Sequence, residues 1–441
     1  MVGVICRSPD AHPRLIDIQA RSFQHCPNGS AAPPLCTPPK GVAMIRPIRV
    51  LSLYEGFFAG GARILHTDLI AGLHSGADQQ HSVLSIASAA RRESSIQYLH
   101  ADPRYVRLTA AGVGVTTLGR IGGVDALDPS TFTERQLRIA ANAVRRADVI
   151  LSLKEQPLGL LLALRERGLM PDIPVAACLH RSDPEHSGPA LAWLNEAATT
   201  GLVTAEISCA RSTSAAYAPF LPPTTARFVI ANGIDTDRFR PGTALENAQT
   251  RTQFGIPATA PVVVFAARFD AMKDPGLFLR SAALFSQQRP DTHFLVCGAG
   301  MTLENEAFRA LLHESGISDA THLHALGIRD DMPSIYRIAD IVALTSAFGE
   351  ASPLCLLEGA ASGATPVTTD VGDAAVSVQD IGFVTPADPA VIAATWRDVL
   401  SRRHDLRGRS LGARARFGRQ RMITEYADVV DALLERNRVA A

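Results

Sequence analysis

The sequence predicts an α/β fold of two doubly wound, Rossmann-like domains that face each other across a cleft. Short apolar strands alternate with helical patterns along most of the chain, which indicates parallel sheets with right-handed crossovers. The 441 residues suit two domains better than one. Each half of the chain contains its own series of alternating strands and helices, so each half is expected to form its own sheet.

The first half follows an irregular N-terminal stretch. Residues 1–43 show no sustained periodicity and end in the proline-rich SAAPPLCTPPKGVA, so we expect a disordered extension. The N-terminal domain is predicted over 44–241. Its strands are expected at 49–54, 81–87, 148–153, 174–179 and 226–233, and its helices at 62–74, 134–146 and 157–167.

The second half repeats this pattern over 242–410, after a linker predicted near 241–252. The final stretch, 411–441, is basic and then amphipathic, because four apolar side chains recur at helical spacing. These are Phe417, Met422, Tyr426 and Val430. Strands are expected at 262–267, 292–297, 321–326, 340–346 and 365–370, and helices at 275–288 and 303–315.

Composition and charge exclude several classes of function. The chain is 46% hydrophobic and 20% charged with a formal net charge of zero, so bulk electrostatics do not favour a nucleic-acid partner. No apolar run has the length of a transmembrane helix, and the N-terminus lacks the apolar segment of a secretory signal. We therefore expect a cytoplasmic protein.

No metal site is predicted from the cysteine, histidine or carboxylate spacing. The three cysteines of the N-terminal extension match no familiar zinc pattern. Asp235 and Asp237, in the stretch GIDTDRF, are interpreted as part of an interdomain turn. Free thiols in a reducing compartment are expected at four cysteines in apolar stretches: Cys178, Cys209, Cys297 and Cys355.

Two glutamates, Glu350 and Glu358, stand in the apolar stretch SAFGEASPLCLLEGAASG. A carboxylate in a buried helix costs several kcal/mol unless a partner satisfies it. The pattern predicts a helix with Ser352 as N-cap, Pro353 as first residue and Gly363 just past its end. A phosphate on the free N–H groups of the first turn would place a ribose near Glu358, roughly 7–8 Å along the axis. The alternative is a solvated Glu350 and an ion-paired Glu358.

Two cations, Arg268 and Lys273, follow the first predicted strand of the second half in the stretch AARFDAMKDP. Ligands of open parallel sheets bind beyond the C-terminal ends of the strands, here in the cleft between two domains. Arginine grips phosphate oxygens in bidentate fashion, and lysine acts as a compact point charge. Of 43 basic residues only Lys40, Lys154 and Lys273 are lysine. The pair is a candidate for binding a diphosphate, and a solvated surface pair is the alternative.

The order of four motifs resembles a known family. Glu-x7-Glu before GAASGATPVTTDVGD, with RFDAMK and FVIANGIDTDRFRP upstream, is similar to retaining GT-B glycosyltransferases of family 4, the group 1 glycosyltransferases. AFGEASPLCLLEG with DVGDAA looks most like members that build exopolysaccharides or other surface glycans. The resemblance covers about Arg49 to Leu434. It implies transfer from a nucleotide diphosphate-sugar to a glycan or lipid-linked acceptor, without a catalytic metal or a tightly bound cofactor.

The resemblance also implies roles for single positions. Arg268 and Lys273 match the pair that neutralises the donor diphosphate, and Glu350 matches the glutamate that binds donor-sugar hydroxyls. His180, in CLHRSDPE, matches a histidine near the anomeric centre, and Glu358 matches the ribose-binding glutamate. The remaining donor-binding positions are the phosphate-contacting turn, the glycine-rich loop of the first domain and loops near the base: Pro353, Leu354, Gly60, Gly61, Gly298, Gly300, Ile328 and Arg329.

The acceptor side is less defined by the sequence. Lys154, after the strand 148–153, and Arg181 are expected to face the cleft and contact the acceptor, while a solvated loop is the alternative for Lys154. The resemblance implies that the helix in 411–441 crosses back to the first domain. Its basic side is compatible with peripheral contact to acidic lipids at the inner face of a membrane.

The chain departs from the family pattern at three places. Arg63 replaces a frequent glutamate, Asp274–Pro275 replaces a lysine–glycine turn, and Ala351–Ser352 replaces a glycine–aromatic pair. These departures leave the sugar and the acceptor open. Two other interpretations are a non-catalytic GT-B partner subunit, which often loses the donor-site cations, and a sugar-nucleotide 2-epimerase, which the Glu-x7-Glu context disfavours.

Overall fold

The structure, a computed structural model, describes residues 46–58, 61–76, 78–92, 95–317 and 322–440. The predicted extension 1–43, with its three cysteines, and the predicted donor-binding residue Gly60 lie outside these ranges. The described chain contains two sheets, one in each half.

An eight-stranded sheet forms the centre of the N-terminal half. Its strands are β1 Ile48–Tyr54, β2 Gln79–Arg92, β3 Ser95–Tyr98, β4 Gly114–Gly122, β5 Val149–Leu153, β6 Val175–Leu179, β7 Ala205–Ser208 and β8 Ala226–Val229. The order is β3-β2-β1-β5-β6-β7-β8, with β4 also paired to β2, and only the β2–β3 pair is antiparallel. The helices are α1 Gly61–His74, α2 Pro103–Ala110, α3 Glu134–Val144, α4 Leu158–Glu166, α5 Ala190–Thr199 and α6 Arg211–Tyr217.

A six-stranded, wholly parallel sheet forms the centre of the C-terminal half. Its strands are β9 Val262–Ala266, β10 His293–Cys297, β11 Leu323–Gly327, β12 Ile341–Leu344, β13 Thr365–Thr369 and β14 Phe383–Thr385. The order β11-β10-β9-β12-β13-β14 is that of a doubly wound Rossmann sheet. The helices are α7 Ala244–Gln253, α8 Pro275–Gln288, α9 Glu306–Glu314, α10 Met332–Arg337, α11 Leu354–Ser362, α12 Ala374–Val378, α13 Pro389–Ser401, α14 Arg403–Gly412 and α15 Arg419–Ala440.

The central strands of both sheets are buried on both faces, which explains why these strands are continuous apolar runs in the sequence. In β9, Val262 and Val264 belong to one buried cluster, whereas Val263 and Phe265 belong to the cluster on the opposite face. Side chains of a strand alternate between faces, so helices must cover each side. The predicted fold of two doubly wound α/β domains is therefore confirmed.

The last helix, α15, packs on the N-terminal sheet. Met422, Tyr426 and Val430 are buried in one cluster with residues of β1, β5 and β6. Phe417, just before α15, belongs instead to a buried cluster of the C-terminal half. The two segments that cross between the halves also pair, because Ile234 N–H donates to Phe417 O at 2.7 Å and Arg419 N–H donates to Ile234 O at 2.9 Å.

Two local features differ from the sequence pattern. Most of the segment predicted as the linker, 241–252, forms α7, which begins with a capping box: Thr243 Oγ1 accepts from Glu246 N–H, and the Glu246 carboxylate accepts from Thr243 N–H. Helix α11 begins one residue later than predicted, because Pro353 remains extended (φ −72°, ψ 116°) and is the N-cap.

None of the helices in the described ranges combines the length and apolar character needed to cross a membrane.

Two helical glycines provide a test of how closely α11 packs against strand β12 of its sheet. A Cβ on Gly359 would lie 2.5 Å from Val342 Cγ1, whereas one on Gly408 would have no atom within 4 Å. We expect Gly359→Ala to lower the free energy of unfolding by about 1–3 kcal/mol through overpacking. Gly408→Ala should raise it by about 0.5–1 kcal/mol, since alanine restricts the unfolded chain. Urea unfolding checks both, and equal stability of the two variants would contradict the packing.

Candidate active site

The strand order of the second sheet reverses between β9 and β12, at the place where open α/β sheets bind ligands. Arg268 and Lys273 follow β9, Glu350 follows β12, and Glu358 lies in α11. The loops after these two strands are tied together, because Ala347 N–H donates to Met272 O at 2.9 Å. The reversal of strand order thus gathers residues that are about 80 positions apart in the chain.

Glu350 is buried and its carboxylate is paired. Its Oε1 atom forms an ion pair with Lys273 Nζ and accepts a 2.6 Å hydrogen bond from Ser346 Oγ. Only 4% of Glu350 is exposed, so it is not the solvated loop residue of the alternative interpretation. The pair joins the loop after β9 to the loop after β12.

Arg268 lies on the surface of the same edge. Its side chain is 59% exposed, and its Nε donates to Asp270 Oδ2 at 2.9 Å. Asp270 also accepts from Met272 N–H at 2.9 Å, which fixes the short turn that leads to Lys273. The Arg268 guanidinium can therefore exchange the Asp270 carboxylate for an incoming anion without exposing a buried side chain.

The predicted residues Gly298 and Gly300 have structural reasons to be glycine. Both adopt positive φ, 135° and 76°. A Cβ on Gly298 would lie 2.0 Å from Ala267 O, and one on Gly300 would lie 2.8 Å from Phe269 Cβ. The absence of side chains lets the loop after β10 lie against the backbone that carries Arg268.

Glu358 is partly buried within α11, near the Tyr336 hydroxyl. Burial raises the pKa of its carboxyl from 4.5 to about 8, while the charge of Arg238 and the neighbouring Tyr336 hydroxyl act in the opposite direction. Among the described residues it forms no ion pair, so the alternative of an ion-paired helix residue does not describe it. Sequence reasoning missed Tyr336 and Arg238, since the latter lies in the GIDTDRF turn.

The start of α11 is open for a ligand. Among the described residues no side chain caps it, so the N–H groups of its first turn lack side-chain partners. Proline has no N–H, so of the predicted pair Pro353 and Leu354 only Leu354 can donate. Gly61 approaches from the first domain, where a Cβ would lie 3.5 Å from Leu354 Cδ1.

Ile328 and Arg329 follow β11 at the same edge of the sheet. Ile328 is 75% exposed, and Arg329 holds Asp331 in a bidentate pair with distances of 2.8 and 2.6 Å. No hydrogen bond or ion pair within the described chain joins either residue to Lys273 or Glu350. The structure therefore places them beside the site without bringing them into its ion-paired centre.

The N-terminal sheet contributes His180, Lys154 and Arg181. His180 follows β6, and its Nε2 atom is buried without a hydrogen-bond partner among the described residues. Burial, assisted by the charge of Lys154, lowers the pKa of His180 to about 3, so its imidazole is neutral at physiological pH. Lys154 follows β5, and Arg181 pairs with Asp183, with Nε to Oδ1 at 2.8 Å.

The two domains touch directly at Glu350. Ser182 Oγ, from the loop after β6, donates to Glu350 O. One residue earlier, Gly349 has φ of 72°, and a Cβ there would lie 2.9 Å from Asp183 Oδ2. Next to this contact the rings of His186 and Phe348 stack with centroids 5.5 Å apart. Nothing in the local sequence signalled these contacts.

Asp373 forms a second direct link between the domains. Its Oδ2 and Oδ1 atoms accept hydrogen bonds from the backbone N–H groups of Arg211 (2.8 Å) and Ser212 (2.9 Å). The preceding residue, Gly372, has φ of 60°, and a Cβ there would lie 1.9 Å from Glu350 O. The loop that carries Asp373 is thereby packed on the backbone of Glu350.

The described residues contain no group of three or more histidines, cysteines and carboxylates placed to hold a metal ion. Asp235 accepts from the N–H groups of Asp237 and Arg238, both at 3.1 Å, and pairs with Arg419 at 2.7 Å. These bonds give the GIDTDRF turn a structural role. The four cysteines predicted to be free are free, and Cys178, Cys209 and Cys297 are buried.

The raised pKa of Glu358 predicts a pH-dependent stability. A carboxyl with a pKa of 4.5 in the unfolded chain and about 8 in the folded one stabilises the fold fully below about pH 4.5. This contribution is lost as the pH rises through about 8. Relative to Glu358→Gln, the wild type should lose a few kcal/mol of unfolding free energy between pH 5 and 9. Urea unfolding across this range checks it, with the exposed Glu306→Gln expected to follow the wild type.

Loss of the Asp373 carboxylate should separate the domains. Asp373→Ala leaves two backbone N–H groups without their partner, which we expect to cost about 1–3 kcal/mol of unfolding free energy. The radius of gyration from small-angle scattering should increase. The exposed Asp370→Ala, three residues earlier, is the matched control. An unchanged radius of gyration in Asp373→Ala would show that other contacts alone hold the domains together.

Comparisons with known proteins find sequence similarity mainly in the C-terminal half. Residues 246–417 match the family model described as "Glycosyl transferases group 1". D-inositol 3-phosphate glycosyltransferases are similar in sequence: that of Corynebacterium urealyticum is 34% identical over 180 residues, 39% of this chain and 41% of that protein. That of Saccharomonospora viridis is 34% identical over 182 residues, with the same shares. The chain spans about two fifths of the length of these curated relatives.

Solved structures are similar over most of this chain. HepE of Anabaena in complex with UDP has a TM-score of 0.70 at 19% identity, covering 87% of this chain and 100% of that chain. Sucrose-phosphate synthase from Thermosynechococcus elongatus has a TM-score of 0.67 at 16% identity, covering 88% and 99%. The chain thus has the GT-B fold, with a segment similar to the group 1 glycosyl transferases over its C-terminal half.

Proposed function

We propose that this protein is a glycosyltransferase that moves a sugar, of the hexose type, from a nucleotide diphosphate-sugar to an acceptor. The observation that carries the proposal is the gathering of Arg268, Lys273, Glu350 and Glu358 along one edge of the second sheet, at its switch point. The family match over 246–417 and the complexes of HepE with UDP and UDP-glucose support it.

In this proposal Arg268 and Lys273 bind the donor diphosphate. Both cations already hold a carboxylate, Asp270 and Glu350, and both can exchange it for phosphate oxygens. The first-turn N–H groups of α11 would bind the same diphosphate, as helix starts commonly do. As the leaving diphosphate gains charge, these groups stabilise it electrostatically.

The two glutamates take different parts of the donor. Once Lys273 turns to the phosphates, the Glu350 carboxylate can accept hydrogen bonds from sugar hydroxyls. Glu358 would accept from the two ribose hydroxyls, further along α11. The loops with Gly298, Gly300, Ile328 and Arg329 lie at the edge where the base would bind.

Reaction with retention is the mechanism that we favour. The acceptor hydroxyl attacks the anomeric carbon from the face that the diphosphate leaves, and an oxygen of that diphosphate takes its proton. The neutral His180 imidazole, together with the loop of Gly60 and Gly61, would lie near the sugar. The contacts of Ser182 and Gly61 with the second domain would keep water out when the cleft is closed.

The acceptor is proposed to be a glycan or lipid-linked glycan of a surface polysaccharide pathway, bound beside Lys154 and Arg181. We propose that the reaction takes place in the cytoplasm, with the basic side of 411–441 as a peripheral contact to acidic lipids. The D-inositol 3-phosphate glycosyltransferases named above support a small phosphorylated molecule as another candidate acceptor. A non-catalytic partner subunit and a sugar-nucleotide 2-epimerase are the alternatives that the experiment below separates.

Arg268 and Arg289 form a matched pair for testing the donor site. Both are exposed, and each donates through Nε to an aspartate two residues later, at 2.9 and 3.1 Å. Only Arg268 lies at the C-terminal edge of the sheet. We expect Arg268→Gln to weaken UDP binding by about ten- to a hundredfold, the value of a charge-assisted hydrogen bond. Arg289→Gln should bind UDP as the wild type does, and calorimetric titration measures both.

The wild type also serves to choose between the alternatives. A nucleotide that binds the wild type, at a concentration of about 100 times its dissociation constant, should raise the free energy of unfolding by about 2.7 kcal/mol. Failure of UDP, GDP and ADP alike to stabilise it would favour a partner subunit. Conversion of a UDP-sugar to its 2-epimer without any acceptor would favour the epimerase.

A further inference from the structure

Lys154 holds a strained position at the C-terminal end of β5. Its φ of 68° lies in the left-handed region, which residues other than glycine seldom occupy. Two bonds fix this conformation: Lys154 N–H donates to Cys178 O at 2.9 Å, and Ser152 Oγ donates to Lys154 O at 2.9 Å. Strain of this kind is maintained where the surrounding fold enforces it, most often at functional sites.

The ammonium group of Lys154 has no hydrogen bond or ion pair among the described residues, although the side chain is partly buried. Two other cations lie near it, and each already holds a carboxylate. Arg63 Nη2 pairs with Glu55 at 2.8 Å, and Arg181 Nε pairs with Asp183 at 2.8 Å. Burial and the charge of Arg63 both disfavour the charged form of Lys154, which lowers its pKa. Both arginines thus form an ion pair, whereas Lys154 has the charges of Glu155 and Glu55 near it without an ion pair to either among the described residues.

The surroundings of Lys154 belong to the cleft. Gly61, two residues before Arg63, approaches Leu354 of the second domain, and Ser182, next to Arg181, bonds to the carbonyl of Glu350. The buried, unpartnered Nε2 of His180 lies beside the same lysine. Lys154 and His180 are therefore neighbours, and each carries a polar group without a partner among the described residues.

We propose that Lys154 binds an anionic group of the acceptor, a phosphate in particular. An oxyanion would form an ion pair with the ammonium group, and a partly buried charge without such a partner is costly in free energy. The donor diphosphate is the less suitable partner, because its cations, Arg268 and Lys273, belong to the other sheet. This inference rests on the proposed function, since it names the class of acceptor for that reaction. A free sugar phosphate and a lipid-linked phosphate share this chemistry.

The test uses the full chain saturated with UDP, so that the donor site is filled. Glucose 6-phosphate, glucose and inorganic phosphate are then titrated by calorimetry into the wild type, Lys154→Gln and the exposed Arg227→Gln as control. We expect glucose 6-phosphate or phosphate to bind the wild type and Arg227→Gln, and to bind Lys154→Gln at least tenfold more weakly, while glucose fails to distinguish the three. Stronger binding of glucose 6-phosphate than of phosphate indicates a free sugar phosphate, and equal binding indicates the phosphate of a lipid-linked acceptor.

Stability supplies a second readout that a merely structural lysine would not give. Removal of an unpaired, partly buried charge should leave the melting temperature of ligand-free Lys154→Gln equal to or above that of the wild type. The inference is overturned if neither phosphate probe binds the UDP-loaded wild type, if Lys154→Gln binds as the wild type does, or if Lys154→Gln is strongly destabilised. Absence of UDP binding itself would instead reject the donor site, and the acceptor inference with it.

Discussion

The buried ion pair between Lys273 and Glu350 is the interaction on which the rest of the site depends. It joins the ends of the two strands between which the order of the second sheet reverses. A carboxylate that is 4% exposed requires a partner, because its desolvation is costly, and Lys273 together with Ser346 supplies it. The same lysine is the group that a diphosphate would attract. The ion pair thus keeps the proposed donor cation in place by pairing it with the proposed sugar-binding carboxylate.

The backbone of Glu350 extends this constraint to the other domain. Its carbonyl accepts a hydrogen bond from Ser182, and the loop of Gly372 packs against it so closely that no side chain fits. From that loop Asp373 reaches two backbone N–H groups of the first domain. Movement of Glu350 therefore affects contacts on both sides of the cleft. In a mechanism that excludes water by domain closure, this arrangement couples the charge balance of the donor site to the closure itself.

The basic side chains at the two sheets differ in how they are paired with carboxylates. On the second sheet Arg268 and Lys273 are both paired with carboxylates that an anion can replace. On the first sheet Arg63 and Arg181 are paired, whereas Lys154 has a strained backbone conformation and its ammonium group has no partner among the described residues. The first arrangement suits a ligand that competes with a carboxylate, as a diphosphate does. The arrangement on the first sheet suits an anion that pairs with the ammonium group of Lys154.

The sequence alone determined the fold class, the position of most strands and the edge of the sheet that carries Arg268, Lys273, Glu350 and Glu358. It could do so because strand and helix periods are local, and because parallel sheets place the residues after each strand at a common edge. Tertiary structure decided what local patterns do not encode: the pairing of Glu350 with Lys273, the burial that raises the pKa of Glu358, the start of α11 at Leu354, and the interdomain bonds of Ser182 and Asp373. Each of these depends on which segments meet across a sheet or a cleft, and such contacts between distant parts of the chain are set by the packing of the whole.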